Sequence, residues 1–101
     1  MINWLTRRQK RILLAMAEGA TLKAHRDADG GKQIMLHPLG DADPVPVRWR
    51  PAERLRRGGY IYGNQKFPAA TYLLTDKGRA AVADKIDGTI RPLGAREFFN
   101  E

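Results

Sequence analysis

The chain has 101 residues and a formal net charge of +7 at neutral pH. That length suits one domain with a modest core. The absence of cysteine excludes a disulfide framework and a cysteine-based zinc site, and no apolar run reaches the ~20 residues of a membrane span.

The amino-terminal stretch MINWLTRRQK lacks the apolar segment of a secretory signal, so the expected location is the cytoplasm. A helix is predicted from Thr6 to Ala17. Thr6 is the N-cap, Gln9 completes a capping box, and Gly19 is placed to end the helix. Leu5, Ile12, Leu13, Met16 and Ala20 share one face. Arg7, Arg8, Lys10 and Arg11 fall mostly off it. Cations in a first helical turn oppose the macrodipole, and a bound anion there would relieve that cost.

Residues 21–37 read as a β-hairpin, with TLKAHRD and KQIMLHP flanking the turn signal ADGG. Leu22, Ala24, Ile34 and Leu36 are the inward candidates. PLGDADPVPV, residues 38–47, reads as a loop or short extended segment. Pro51 suits the first position of a short helix, PAERLRR, which Gly58 and Gly59 stop. Ala52 and Leu55 face inward. Residues 48–57 hold five arginines against one acid, Glu53.

YIYGNQKFPAATYLL follows as strand, polar turn and strand. Thr75 then caps a helix from Asp76 to about Lys85, with Gly78 in its first turn permitting close packing. Residues 87–101 form a C-terminal extension whose Phe98 and Phe99 are expected to dock on the core. The expected core is Leu13, Met16, Leu55, Ile61, Tyr72, Leu74 and Val82.

Chemistry is thin. The chain contains neither serine nor cysteine, and it has two histidines, His25 and His37, one on each arm of the first hairpin. They would approach each other if the arms pair in register, with Asp27 the nearest further ligand. No metal-ligand spacing and no phosphate loop is present. Neither catalysis nor a cofactor nor a metal is expected.

The order of helix, strands, arginine-rich short helix, hairpin and helix resembles a winged-helix domain. The resemblance is carried by RLRRGGYIYGNQKFPAATYLLTDKGRAAV, residues 54–82. Leu55, Gly58 or Gly59, Ile61, Tyr72, Leu74, Thr75, Gly78 and Arg79 match a recognition helix, a β-wing and the capped helix after it. The first third, LTRRQKRILLAMAEGATLKAHRDADGG, is similar to the YjhX family of toxins that inhibit DNA topoisomerase I, through Leu5, Arg7, Arg11, Leu13, Ala17, Gly19, Arg26, Asp27, Ala28 and Gly30. The sequence departs from that family in its PLGDADPVPVRWR segment and its longer tail. It departs from DNA-reading winged helices in having strands and loop, not a helix, before the recognition helix.

The expected fold is therefore α+β, a winged-helix-like domain over residues 1–86 with an extra N-terminal β-hairpin, followed by the extension 87–101. The expected function is nucleic-acid binding, with duplex DNA as partner, by a regulator. Arg7, Arg8, Lys10 and Arg11 would neutralise phosphates. Arg48, Arg50, Arg54, Arg56 and Arg57, flanked by Trp49 and Tyr60, would present the short helix to a groove. Asn64, Gln65 and Lys66 would lie at the wing tip along the backbone or minor groove. The alternative is a small inhibitor that binds a nucleic-acid enzyme, either a toxin-like topoisomerase inhibitor or a phage anti-CRISPR or anti-defence protein. The acidic stretch GDADP favours that reading.

Overall fold

The computed structural model describes residues 5–26, 29, 31–40, 42–66, 69–85, 92 and 93; for Arg26, Gln65, Lys66, Ala69 and Lys85 it describes the backbone alone. The chain forms a small α+β domain. The elements in order are α1 (Arg7–Ala17), β1 (Thr21–Arg26), β2 (Lys32–His37), β3 (Val45–Val47), α2 (Trp49–Arg57), β4 (Ile61–Lys66), β5 (Ala69–Leu74) and α3 (Asp76–Ala81), with a 3-10 turn at Ala83–Lys85. No described helix is long and apolar enough to cross a membrane.

Local chemistry starts and stops α1 as its residues dictate. The Thr6 hydroxyl accepts from the Gln9 backbone N–H at 3.1 Å, and the Gln9 side chain accepts from the Thr6 N–H at 2.8 Å. That reciprocal pair satisfies two of the donors a helix start leaves unpaired. At the far end Gly19 takes φ +109°, while its N–H reaches the Met16 carbonyl and the Ala20 N–H reaches the Ala15 carbonyl. This is a Schellman ending, which needs a left-handed residue at that place.

All five strands join one antiparallel sheet in the order β3-β2-β1-β5-β4. Alternation along each strand sorts its side chains onto two faces. Leu22, Ala24, Ile34, Leu36, Val47, Ile61 and Tyr72 are buried on one face, in a single cluster with Ile12, Leu13, Leu55 and Val82 from the helical layer. The helices therefore cover that face alone. The other face has no described element over it, an arrangement that antiparallel sheets allow.

Of the expected core, Leu13, Met16, Leu55, Ile61, Tyr72 and Val82 are buried, and Leu74 is half-buried against them. Helix α1 is enclosed more fully than one apolar stripe implies, since Leu14 and Ala15 are buried as well. The Leu93 N–H donates to the Arg11 carbonyl at 3.0 Å, and Leu93 and Pro92 line one groove with Ala15. A distant piece of chain thus covers a side of α1 expected to face solvent. Phe98 and Phe99 lie outside the described residues.

The start of α2 needs correction, whereas the short extended reading of 38–47 holds at its end. Val45–Val47 adds an edge strand to β2, with Met35 opposite Pro46. A proline in mid-strand is tolerated at an edge, where no outer neighbour needs its missing N–H. Helix α2 begins at Trp49, two residues before Pro51. Proline fits anywhere in a first helical turn, because those N–H groups have no partner within the helix.

The end of α2 is clamped to the start of α3. Gly59 takes φ +80°, the Tyr60 N–H reaches back to the Leu55 carbonyl at 2.9 Å, and the Gly59 N–H reaches Arg56 at 3.1 Å. The Thr75 hydroxyl donates to the Gly59 carbonyl at 2.6 Å and accepts from the Gly78 N–H at 3.0 Å. The Thr75 N–H donates to the Tyr60 carbonyl at 3.1 Å. Lys77 reaches the Gly58 carbonyl at 2.7 Å and sits 4.6 Å from the centre of the Tyr60 ring.

A β-carbon at Gly78 would overlap the Tyr60 carbonyl oxygen, a backbone atom already held by Thr75. Gly78→Ala should therefore destabilise the domain by at least the ~1–3 kcal/mol typical of overpacking, although alanine is the better helix former. Leu55→Ala should cost about 2–5 kcal/mol. Urea unfolding of each variant measures both. A neutral Gly78→Ala would mean that α3 does not pack on this backbone.

Candidate nucleic-acid interface

Only Ala52 and Leu55 of α2 are buried. The remaining positions therefore set the character of its outer surface. Arg50, Arg54 and Arg57 recur at i, i+4 and i+7, so they form one stripe. They line a shallow open groove with Trp49 and Glu53. Arg48 precedes the helix and is exposed, without a side-chain hydrogen bond to the helix start.

Glu53 is the acid at the centre of this surface. Its carboxylate accepts from Arg56 Nε at 3.0 Å and Nη2 at 2.6 Å, and from Arg57 Nε at 3.2 Å. Spacings of three and four residues place all three side chains on adjacent turns. The hydrogen bond from Arg56 holds the Glu53 carboxyl below its ordinary value of 4.5, with Arg57 adding to the effect and partial desolvation opposing it. The same contact raises Arg56 further above its ordinary range.

Arg56 is thereby occupied, whereas the Arg57 side chain is still 75% exposed. Among the described residues Arg50 and Arg54 enter no ion pair. Asp43, in the loop before α2, is exposed and pairs with neither. Asp41 lies outside the described residues.

The other expected site residues fall elsewhere. Arg7 and Arg8 are exposed on the first turn of α1, and Lys10 and Arg11 are half-buried. None of the four lines the α2 groove. Asn64 lies opposite Thr71 on the sheet face away from the helices. For Gln65 and Lys66 the side chains are outside the described set. The expected site residues whose side chains are described therefore divide among α2 with the preceding Arg48, the start of α1 and, for Asn64, the far face of the sheet.

The two flanking aromatics separate. Tyr60 is buried under Lys77 and belongs to the clamp. Trp49 is 46% exposed at the rim of the groove, with Lys32 Nζ 4.9 Å from its ring centre. Lys32 is a cation of this site that sequence reasoning missed. It lies on β2, and no local pattern joins it to α2.

The two histidines do meet, with ring centres 6.2 Å apart and the rings edge to face. Among the described residues no group of three His, Asp or Glu side chains could hold a metal ion.

Because the Glu53 carboxyl is held low in the folded protein, its contribution to stability is complete above the ordinary carboxylate range. It is lost as pH falls through the lowered folded value. Urea midpoints measured from neutral pH downward should thus show wild type ahead of Glu53→Gln at neutral pH. The gap should close below about pH 4.5, the ordinary glutamate value. An equal gap at every pH would mean that Glu53 acts through packing and not through charge. No protein-family model, curated protein or solved structure matches the chain.

Proposed function

We propose that the protein binds duplex DNA through α2, as a winged-helix-like regulator with α2 as recognition helix and the β4–β5 pair as wing. The observation that carries this reading is the exposed stripe of Arg50, Arg54 and Arg57 beside Trp49, whose one acid is already engaged. A helix set into a major groove about 12 Å wide must present such an unobstructed side. Arginine suits both tasks there, since it neutralises phosphate and can pair two-pronged with guanine. The exposed Arg7 and Arg8 add phosphate contacts from α1.

A second reading has its own support. Between α1 and α2 the described residues hold three strands and no helix. The helix that ordinarily precedes a recognition helix is thus replaced by sheet. A small inhibitor that presents α2 to an acidic or nucleic-acid-binding surface of an enzyme does not need that missing helix. A toxin-like topoisomerase inhibitor and a phage anti-defence protein are the two forms this reading takes.

Fluorescence anisotropy against random-sequence duplexes at several salt concentrations tests the first reading. Log affinity should fall linearly with log salt, with a slope of about 0.9 per phosphate neutralised. Arg50→Ala should lower both affinity and slope. Arg54→Ala should cost roughly 1–3 kcal/mol at one base position if Arg54 reads a base. No duplex binding at low salt would end this reading, and partners that survive nuclease treatment in a pull-down from the native host would establish the second.

A further inference from the structure

Among the described residues one buried side-chain polar atom has no hydrogen-bond partner, His37 Nε2. Buried polar groups are nearly always paired, so an exception asks for an occupant or a role. The ring of His25 stands 6.2 Å from that of His37, centre to centre, with the planes at 68°. Such an edge-to-face contact offers a ring N–H a weak interaction at most and gives a nitrogen lone pair nothing.

The strand register shows what the two rings enclose. Gln33 is opposite His25 and Thr21 is opposite His37, with the pair Lys23 and Met35 between them. Side chains two apart on a strand share a face, so His25, Met35 and His37 all belong to the sheet face away from the helices. Four residues of strand span about 13 Å. Rings only 6.2 Å apart therefore lean toward each other across the central pair.

We infer that His25, Met35 and His37 form a site for a soft metal ion, monovalent copper. A metal held by one nitrogen of each imidazole at about 2.0 Å keeps the ring centres about 5–6 Å apart, close to the separation already present. The last side-chain torsion of histidine is soft, so each ring can turn a nitrogen toward the shared point. Imidazole suits copper, and a thioether selects its monovalent state. Among the described residues no His, Asp or Glu supplies a third donor. That leaves zinc short of its usual four ligands and gives calcium or magnesium no carboxylate. Lys23 is the cation of the central pair, and its long stem lets the ammonium sit clear of the ion. Bound copper would give His37 Nε2 its partner and tie β1 to β2. The inference is independent of the α2 reading, because no residue of the arginine groove belongs to this site.

The test titrates copper(I) into the full chain under argon, in competition with a chromophoric copper(I) chelator, with zinc(II) titrated in parallel. One equivalent of copper should bind, and more tightly than zinc. X-ray absorption at the copper edge should show nitrogen and sulfur neighbours in the unmutated protein, a readout that does not depend on any variant folding. His37→Gln and Met35→Leu should each weaken copper binding by at least the roughly 10–100-fold that changes behind a metal's own ligands cost. Met35→Leu nearly conserves volume, so its urea midpoint without metal should stay close to that of wild type. The inference is overturned if the unmutated chain takes up no copper, if the spectrum shows nitrogen without sulfur, or if zinc binds more tightly. It is equally overturned if either variant binds copper as wild type does, which would put the metal elsewhere on the chain.

Discussion

The Thr75 hydroxyl bridges two segments of the chain. By accepting from Gly78 it starts α3, and by donating to Gly59 it fixes the residue that ends α2. The backbone at Gly59–Tyr60 is thereby held by its own helix from one side and by α3 from the other. Because Gly78 has no side chain, the two backbones come together without a spacer. The direction of α2 is set at this point, and so is the place where β4 begins. An arginine stripe is useful for recognition only if its helix is held rigidly, and α2 has only two buried side chains of its own. Its fixed orientation comes largely from this clamp and from Leu55, which is fully buried.

The molecule divides its polar chemistry by layer. On the helical side, cations are close enough to compete for one acid, so Glu53 engages Arg56 and Arg57 and leaves Arg50 and Arg54 outside the ion pair. On the sheet side no described residue is acidic, and the described polar side chains there include Lys23, Gln33, Asn64 and Thr71. Tyr72 lies on the helical side of the sheet, where burial holds its hydroxyl above the ordinary tyrosine range. A strand's alternation thus assigns neighbouring tyrosines different tasks. Tyr72 packs in the core, and Tyr62, on the next strand, remains open to solvent.

Features encoded within a few residues were legible in the sequence. The capping box of Thr6 and Gln9, the Thr75 cap and the inward set Leu22, Ala24, Ile34 and Leu36 all depend on spacings of two to four positions. The stripe Arg50, Arg54 and Arg57 was legible for the same reason. What escaped depends on long-range contact. Two prolines left 38–47 open between loop and extended segment, and only its pairing with β2 makes Val45–Val47 a strand. The burial of Ala15 follows from the docking of Leu93, far along the chain. Lys32 meets Trp49 because sheet and helix converge there, a fact no periodicity records. Asn64 was expected at a wing tip, and strand alternation puts it on the sheet face away from the helices.

The prolines of the outer strand have a consequence for assembly. A sheet with two open edges is a monomer that can polymerise, since each added copy presents a fresh edge to the next. Here one edge is β3, where Pro44 and Pro46 stand at alternate positions and neither has an N–H to offer. The other is β4, six residues long and without an outer neighbour among the described strands. Of these two edges, β4 is the one whose backbone donors no proline interrupts. Two copies that meet there about a two-fold axis use up both live edges, and the assembly closes as a pair instead of growing into a fibre.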